Sequence, residues 1–192
     1  MSLSVQNNMN TEQTKAIKNK KAKLTIFEMV LFSMFASMMF ISKIVMEFLP
    51  NIHLLGMFVM LLTVVYRKKA LIPIYLFVLL QGIYGGFAVW WVPYLYVWTV
   101  LWAVTMLLPQ NMNKKVCMIV YPLVCCLHGL CFGILYAPIQ AMVFGFTFKQ
   151  TVAWVAAGFP FDITHAVGNL VLGTLVYPLS ILIVRLSKKI NK

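Results

Sequence analysis

Six apolar runs punctuated by clusters of cations dominate this 192-residue chain. The runs cover about 24–48, 54–66, 70–89, 93–108, 116–136 and 161–186. Lys15, Lys18, Lys20, Lys21 and Lys23 precede the first. Arg67, Lys68 and Lys69 follow the second, Lys114 and Lys115 follow the fourth, and Arg185, Lys188, Lys189 and Lys192 end the chain. Of the 16 cations only Lys43 and Lys149 fall elsewhere. A membrane-spanning helix needs about 20 mainly apolar residues, and cytoplasmic loops carry the excess of Lys and Arg. If every cluster is cytoplasmic, successive clusters are separated by an even number of spans. This predicts an all-α membrane protein of six transmembrane helices, three hairpins, with both termini cytoplasmic.

Composition points the same way. Hydrophobic residues make up 62% of the chain and charged residues 10%, against roughly 45–50% and 25% in an ordinary soluble domain, which excludes a water-soluble globule. The net charge of +12 therefore marks topology on a lipid bilayer, and no nucleic-acid partner is expected. The chain reads as a basic cytoplasmic tail at 1–23, a six-helix membrane domain at 24–186 and a second basic tail at 187–192, a multi-pass protein of the cell membrane. The first tail has no apolar stretch of its own, so the first helix is expected to act as an uncleaved topogenic signal. The second and fourth runs fall short of a full span, so they borrow flanking residues or stop partway and line a cavity. The stretch 137–160 mixes aromatics, Gly and Pro and reads as a structured outer loop with a short interfacial helix.

Polar side chains within a membrane are costly and mark functional sites. Asp162, His165 and Asn169 are spaced i, i+3, i+7 at the outer end of the sixth run, one stripe of a helix entered through Pro160. They either face a common cavity, or Asp162 caps the helix while His165 and Asn169 tie helices together. Lys43, Glu47, Asn51 and His53 gather around Pro50. Lys43 and Glu47 either pair with each other or face a ligand. Glu47 and Asp162 are the two carboxylates expected on the outer side. Gln81 lies near an aromatic group of Tyr84, Trp90, Trp91, Tyr94, Tyr96, Trp98 and Trp102. Trp90, Trp91 and Tyr94 read as an interfacial belt, whereas Trp98 and Trp102, four apart, offer flat faces to a heterocyclic ring.

Cys117, Cys125, Cys126 and Cys131 lack a second zinc-type ligand pair and read as small buried hydrophobes. Ser33 and Ser37, and Gly129 and Gly133, are small-xxx-small pairs suited to close helix approach. There is no phosphate-cradling glycine loop, nucleophile elbow or His-Glu-x-x-His pair, so the chain has no ATPase machinery, and no cofactor or metal is expected.

The small residues of the first helix, the Phe48-Leu49-Pro50-Asn51-Ile52-His53 turn and the segment Pro160-Phe161-Asp162-Ile163-Thr164-His165-Ala166-Val167-Gly168-Asn169 together resemble the substrate-binding S components of energy-coupling factor (ECF) transporters, over about 24–185. The resemblance implies capture of a vitamin or related micronutrient at the outer face, association with a transmembrane scaffold subunit and two cytoplasmic ATPases, and toppling in the membrane to release the ligand inside. It implies scaffold docking through Ser33 and Ser37, where the family carries Ala-x-x-x-Ala, and gating by 47–53, 89–94 and 137–160. The substrate-binding set expected on these grounds is Glu47, Asn51, His53, Gln81, Tyr84, Trp98, Trp102, Asp162, His165 and Asn169, around a planar, nitrogen-rich vitamin. The alternative is a small intramembrane enzyme with Asp162 and His165 as its acid/base pair.

Overall fold

Helices satisfy their backbone hydrogen bonds internally, as lipid requires of any segment that crosses it, and the described residues of this chain are mainly helical. The structure, a computed structural model, describes residues 24–49 and 52–190, which contain no strand. The tail 1–23, Pro50, Asn51 and residues 191–192 lie outside the described residues. The helices are α1 (Ile26–Val45), α2 (Leu55–Tyr66), α3 (Leu71–Gly85), α4 (Tyr94–Leu107), α5 (Lys114–Leu130), α6 (Phe132–Phe144), α7 (Phe148–Gly173) and α8 (Val176–Ile190), with 3-10 turns at Arg67–Ala70 and Val89–Trp91. Four helical stretches are long and apolar enough to cross a membrane: Ile26–Val45, Val89–Leu107, Lys114–Phe144 and Phe148–Gly173.

Two compact units divide the chain, Met1–Phe32 and Ser33–Lys192. In the first, Thr25 and Glu28 start α1 with a reciprocal capping box. The Glu28 N–H donates to Thr25 Oγ1 and the Thr25 N–H to Glu28 Oε2, both at 3.1 Å. In the second, the polarity of a soluble domain is inverted. Thr63, Gln81, Thr105, His128, Asp162, His165, Asn169 and Ser180 are buried, while Met34, Met38, Ile41, Leu79, Ile119, Leu123, Leu127 and Val171 are exposed. That arrangement suits a lipid solvent, which accepts apolar side chains and excludes polar ones.

Helix α2 is buried on every side from Leu55 to Thr63, as expected of an apolar helix at the centre of a bundle, and it packs against α4 and α8. Its 12 residues are too few to span lipid. Enclosed by other helices, it has no lipid to span. The most extensive packing is between α5 and α7, and glycines make it possible. A Cβ at Gly129 would sit 2.9 Å from the His165 carbonyl carbon and 3.0 Å from Ala166 N, and one at Gly173 would sit 2.7 Å from Pro122 Cα.

Three sequence expectations need correction. The stretch 137–160 is not an outer loop. Helix α6 continues through Pro138 to Phe144, and α7 begins at Phe148. Only 145–147 turn, with Gly145 left-handed at φ 66° ending α6 and Thr147 and Gln150 forming a capping box that starts α7. Prolines suggest a loop in a soluble sequence but are tolerated inside membrane helices. The helix bearing Asp162 is therefore not entered through Pro160, which lies well inside α7, and Asp162 does not cap it. Finally, Cys117 and Cys125 are buried, but Cys131 is exposed, because the chain breaks there between α5 and α6 and turns its side chain outward.

The α5–α7 crossing yields a first prediction. Gly129→Val should lower the thermal stability of the purified protein by roughly 1–3 kcal/mol through overpacking against backbone. Gly158→Ala, where a Cβ meets nothing within 4 Å, should not lower it. Equal melting temperatures for wild type and Gly129→Val would show that α7 is not held this closely.

Candidate functional site

The crossing places the polar stripe of α7 against the seam of α5 and α6. The break at Cys131 frees backbone N–H groups in the first turn of α6, and Asp162 Oδ1 accepts the N–H of Gly133 at 3.0 Å, a carboxylate at the positive end of a helix. The carboxylate occupies the space a Cβ at Gly133 would take. One turn on, His165 lies beside Gly129. A further turn on, Asn169 Nδ2 donates to the Cys125 carbonyl at 3.2 Å, and its Oδ1 lies where a Cβ at Gly56 would be. Asp162 and Asn169 thus fasten α7 to its neighbours, and His165 is left facing a cavity.

That cavity has a volume of about 400 Å³ and is lined by Lys43, Glu47, His53, Tyr94, Phe132, Tyr136 and His165, with Met46, Leu49 and Ile52. Its volume is within the range of about 300–1,000 Å³ usual for small-molecule sites, and its lining mixes charged and polar groups with aromatic rings. It lies where α2 and α4 begin. Their other ends meet at Arg67, whose Nη2 donates to Met106 O at 2.9 Å and whose carbonyl accepts Trp102 Nε1 at 3.1 Å. The cavity and the Arg67–Lys69 cluster therefore occupy opposite ends of the bundle.

Rings form its wall. His53 stands edge-on to Trp98 with centroids 6.0 Å apart and 5.0 Å from His165. Phe132 lies 4.7 Å from His165, 6.1 Å from Trp98 and 5.4 Å from Tyr136, on which it stacks. The Tyr136 hydroxyl donates to the Trp90 carbonyl, joining α6 to the 3-10 turn before α4. His128 lies 5.8 Å from Trp98.

The hydrogen bonding of these rings is incomplete. His53 Nε2 and His165 Nε2 are 3.1 Å apart, a contact that holds only if one nitrogen carries a proton and the other offers a lone pair. His128 Nε2 donates to the Val97 carbonyl at 3.0 Å. The Nδ1 atoms of all three histidines and Nε1 of Trp98 are buried without a partner. Such groups are few in folded proteins and cost about 1–3 kcal/mol each when left unmet.

Of the residues expected from the sequence, Glu47, His53 and His165 line the cavity, and Trp98 stands directly behind it. Asp162 and Asn169 are buried in the α7 crossing. Gln81 is buried on α3 with Nε2 unpartnered. Tyr84 is exposed, its ring 5.5 Å from Phe40, and Trp102 is at the opposite end of α4, bonded to Arg67. Asn51 lies outside the described residues. Asp162 and His165 take different partners, Gly133 and His53. Lys43 and Glu47 line the same cavity. Sequence reasoning missed His128, Phe132 and Tyr136, although their i, i+4, i+8 spacing along the fifth run was the signal. Tyr94, read as part of a belt, is a wall of the cavity.

His53 lies in the connection between α1 and α2. Burial, with His165, Lys43 and His128 adding to it, pushes its pKa from 6.5 down to about 3, so the folded protein holds it neutral. The unfolded chain takes up a proton below 6.5 that the folded chain refuses until about 3, so the stabilising contribution is complete above 6.5 and is lost as pH falls towards 3. The melting temperature in detergent should fall across that window, and less steeply in His53→Gln; identical slopes would contradict the burial of this ring. Comparison of the chain with protein-family models, with curated proteins and with solved structures finds no match, so the site itself carries the functional reading.

Proposed function

We propose that this protein is the membrane-embedded substrate-binding subunit of an ECF-type importer, an S component that captures a vitamin-like small molecule at the outer face of the cell membrane. The observation that carries this reading is the cavity of about 400 Å³ walled by rings, with His53 and His165 in contact on its lining, at the end of the bundle away from Arg67, Lys68 and Lys69. With that cation cluster cytoplasmic, the cavity opens outward. The six-span topology with both termini inside follows from the same rule, with α2 and α3 as its short spans and α2 enclosed by other helices. Aromatic faces hold a flat ring by stacking and edge contacts, and the unmet ring nitrogens orient it.

An import cycle needs an energy source that this chain does not encode, so a scaffold subunit and two ATPases complete the assembly. Ser33 and Ser37 are exposed on α1 beside Met34 and Met38, small residues that permit close approach of a partner helix in lipid.

Titration of the purified protein with a panel of vitamins should quench tryptophan fluorescence for one of them. Trp98→Ala should weaken that binding by about tenfold or more, on the scale of about 1.4 kcal/mol per decade. Absence of binding to every compound, together with failure to co-purify with an ECF scaffold, would overturn the proposal. Replacing Ser33 and Ser37 by Leu should abolish uptake by cells and leave binding intact; undiminished uptake would remove α1 as the docking face.

A further inference from the structure

His53 is held oddly for a structural residue. Its ring sits among Trp98, His165 and the cavity, yet it makes one side-chain hydrogen bond, to His165, and its Nδ1 is buried without a partner. The groups beside it have the same deficiency. Because His128 Nε2 donates to Val97 O, the neutral ring presents Nδ1 as a lone-pair acceptor. Trp98 Nε1 is an unmet donor. The His53–His165 contact requires opposite tautomers, so of their two free Nδ1 atoms one is a donor and the other an acceptor. Both kinds of unmet group therefore occur among these neighbouring rings, and the imidazole, bonded through Nε2 to His165, satisfies none of them.

We infer that the His53 imidazole is a resident stand-in for the ligand's ring, and that the ligand is a flat nitrogen heterocycle bearing both N–H donors and lone-pair acceptors that displaces it. The inference rests on the binding-subunit reading for its biological meaning and specifies the substrate class of that same site. The ligand takes over the edge contact with Trp98 and the hydrogen bond to His165 that His53 gives up. Free of a main-chain tether, it can also turn a donor or acceptor towards the unmet nitrogens of the two rings that His53 touches, Trp98 Nε1 and His165 Nδ1. The neighbouring cavity, which His53 already lines, has room for the departing side chain. A purely hydrocarbon ring would lose the His165 bond and gain none, so the exchange selects heterocycles.

Free imidazole tests the exchange without scaffold, ATPase or vitamin. In equilibrium dialysis, detergent-purified H53A should bind about one labelled imidazole per chain, at least about tenfold more tightly than wild type, whose slot is filled. Adding His165→Ala to H53A should abolish the site. If H53A folds only in the presence of imidazole, a saturable rise of the folded fraction with imidazole is the same result. Overturning results are a folded H53A that binds imidazole no better than wild type, or an H53A that imidazole does not rescue. Neither readout depends on transport: loss of the importer reading alone would leave imidazole binding unchanged, and wild-type capture of a vitamin alongside an imidazole-blind H53A would reject the stand-in and retain the importer.

Discussion

The structure depends on the close crossing of α7 with α5 and α6. In lipid there is little hydrophobic force to join helices, so contact must come from backbone approach and from polar pairs. Gly129 and Gly173 allow the approach. Asp162 on the Gly133 N–H and Asn169 on the Cys125 carbonyl supply the pairs. Each needs the other: a larger residue at Gly133 would occupy the place of the carboxylate, and without the carboxylate the N–H exposed by the break at Cys131 would have no partner there. The break itself matters to the site, since it sets Phe132 and Tyr136 against His165 and Tyr94.

From that crossing the cavity follows. His165 lies between the two fastening residues on the same stripe, so its position is fixed by neighbours above and below it. It then faces His53 from the α1–α2 connection, with Trp98 behind. Polar groups that lipid would reject are enclosed, and four of the nitrogens left without partners belong to the neighbouring rings of His53, His165, Trp98 and His128. A fold that needed histidines only for packing would pair their second nitrogens, and this one leaves three of them unmet.

The apolar runs made the all-helical character legible in the sequence, and the spacing of Asp162, His165 and Asn169 marked the stripe that organises the site. What that spacing could not tell was which members face a ligand and which face another helix, because a carboxylate on a backbone N–H and a carboxylate on a substrate look alike until the partner is known. The helices over 137–160 depart from the expected loop because Pro138 and Pro160, which break helices in water, are tolerated inside membrane helices, and the Thr147–Gln150 capping box marks where α7 starts. His128, Phe132 and Tyr136 recur at i, i+4, i+8, but in a run this apolar such spacing serves helix packing as readily as a cavity wall. Trp102 shares a helix face with Trp98, yet a residue four positions further along rises about 6 Å, enough to take it from the cavity to Arg67.

The central claim is that the cavity holds a small nitrogen heterocycle. Native mass spectrometry of the protein released from detergent, directly after purification from cells, tests it most simply. The account predicts a second species heavier than the bare chain by the mass of one nitrogen-containing small molecule, missing in His165→Ala. A wild-type preparation that carries only lipid or detergent adducts, unchanged after incubation with heterocyclic vitamins, would contradict it.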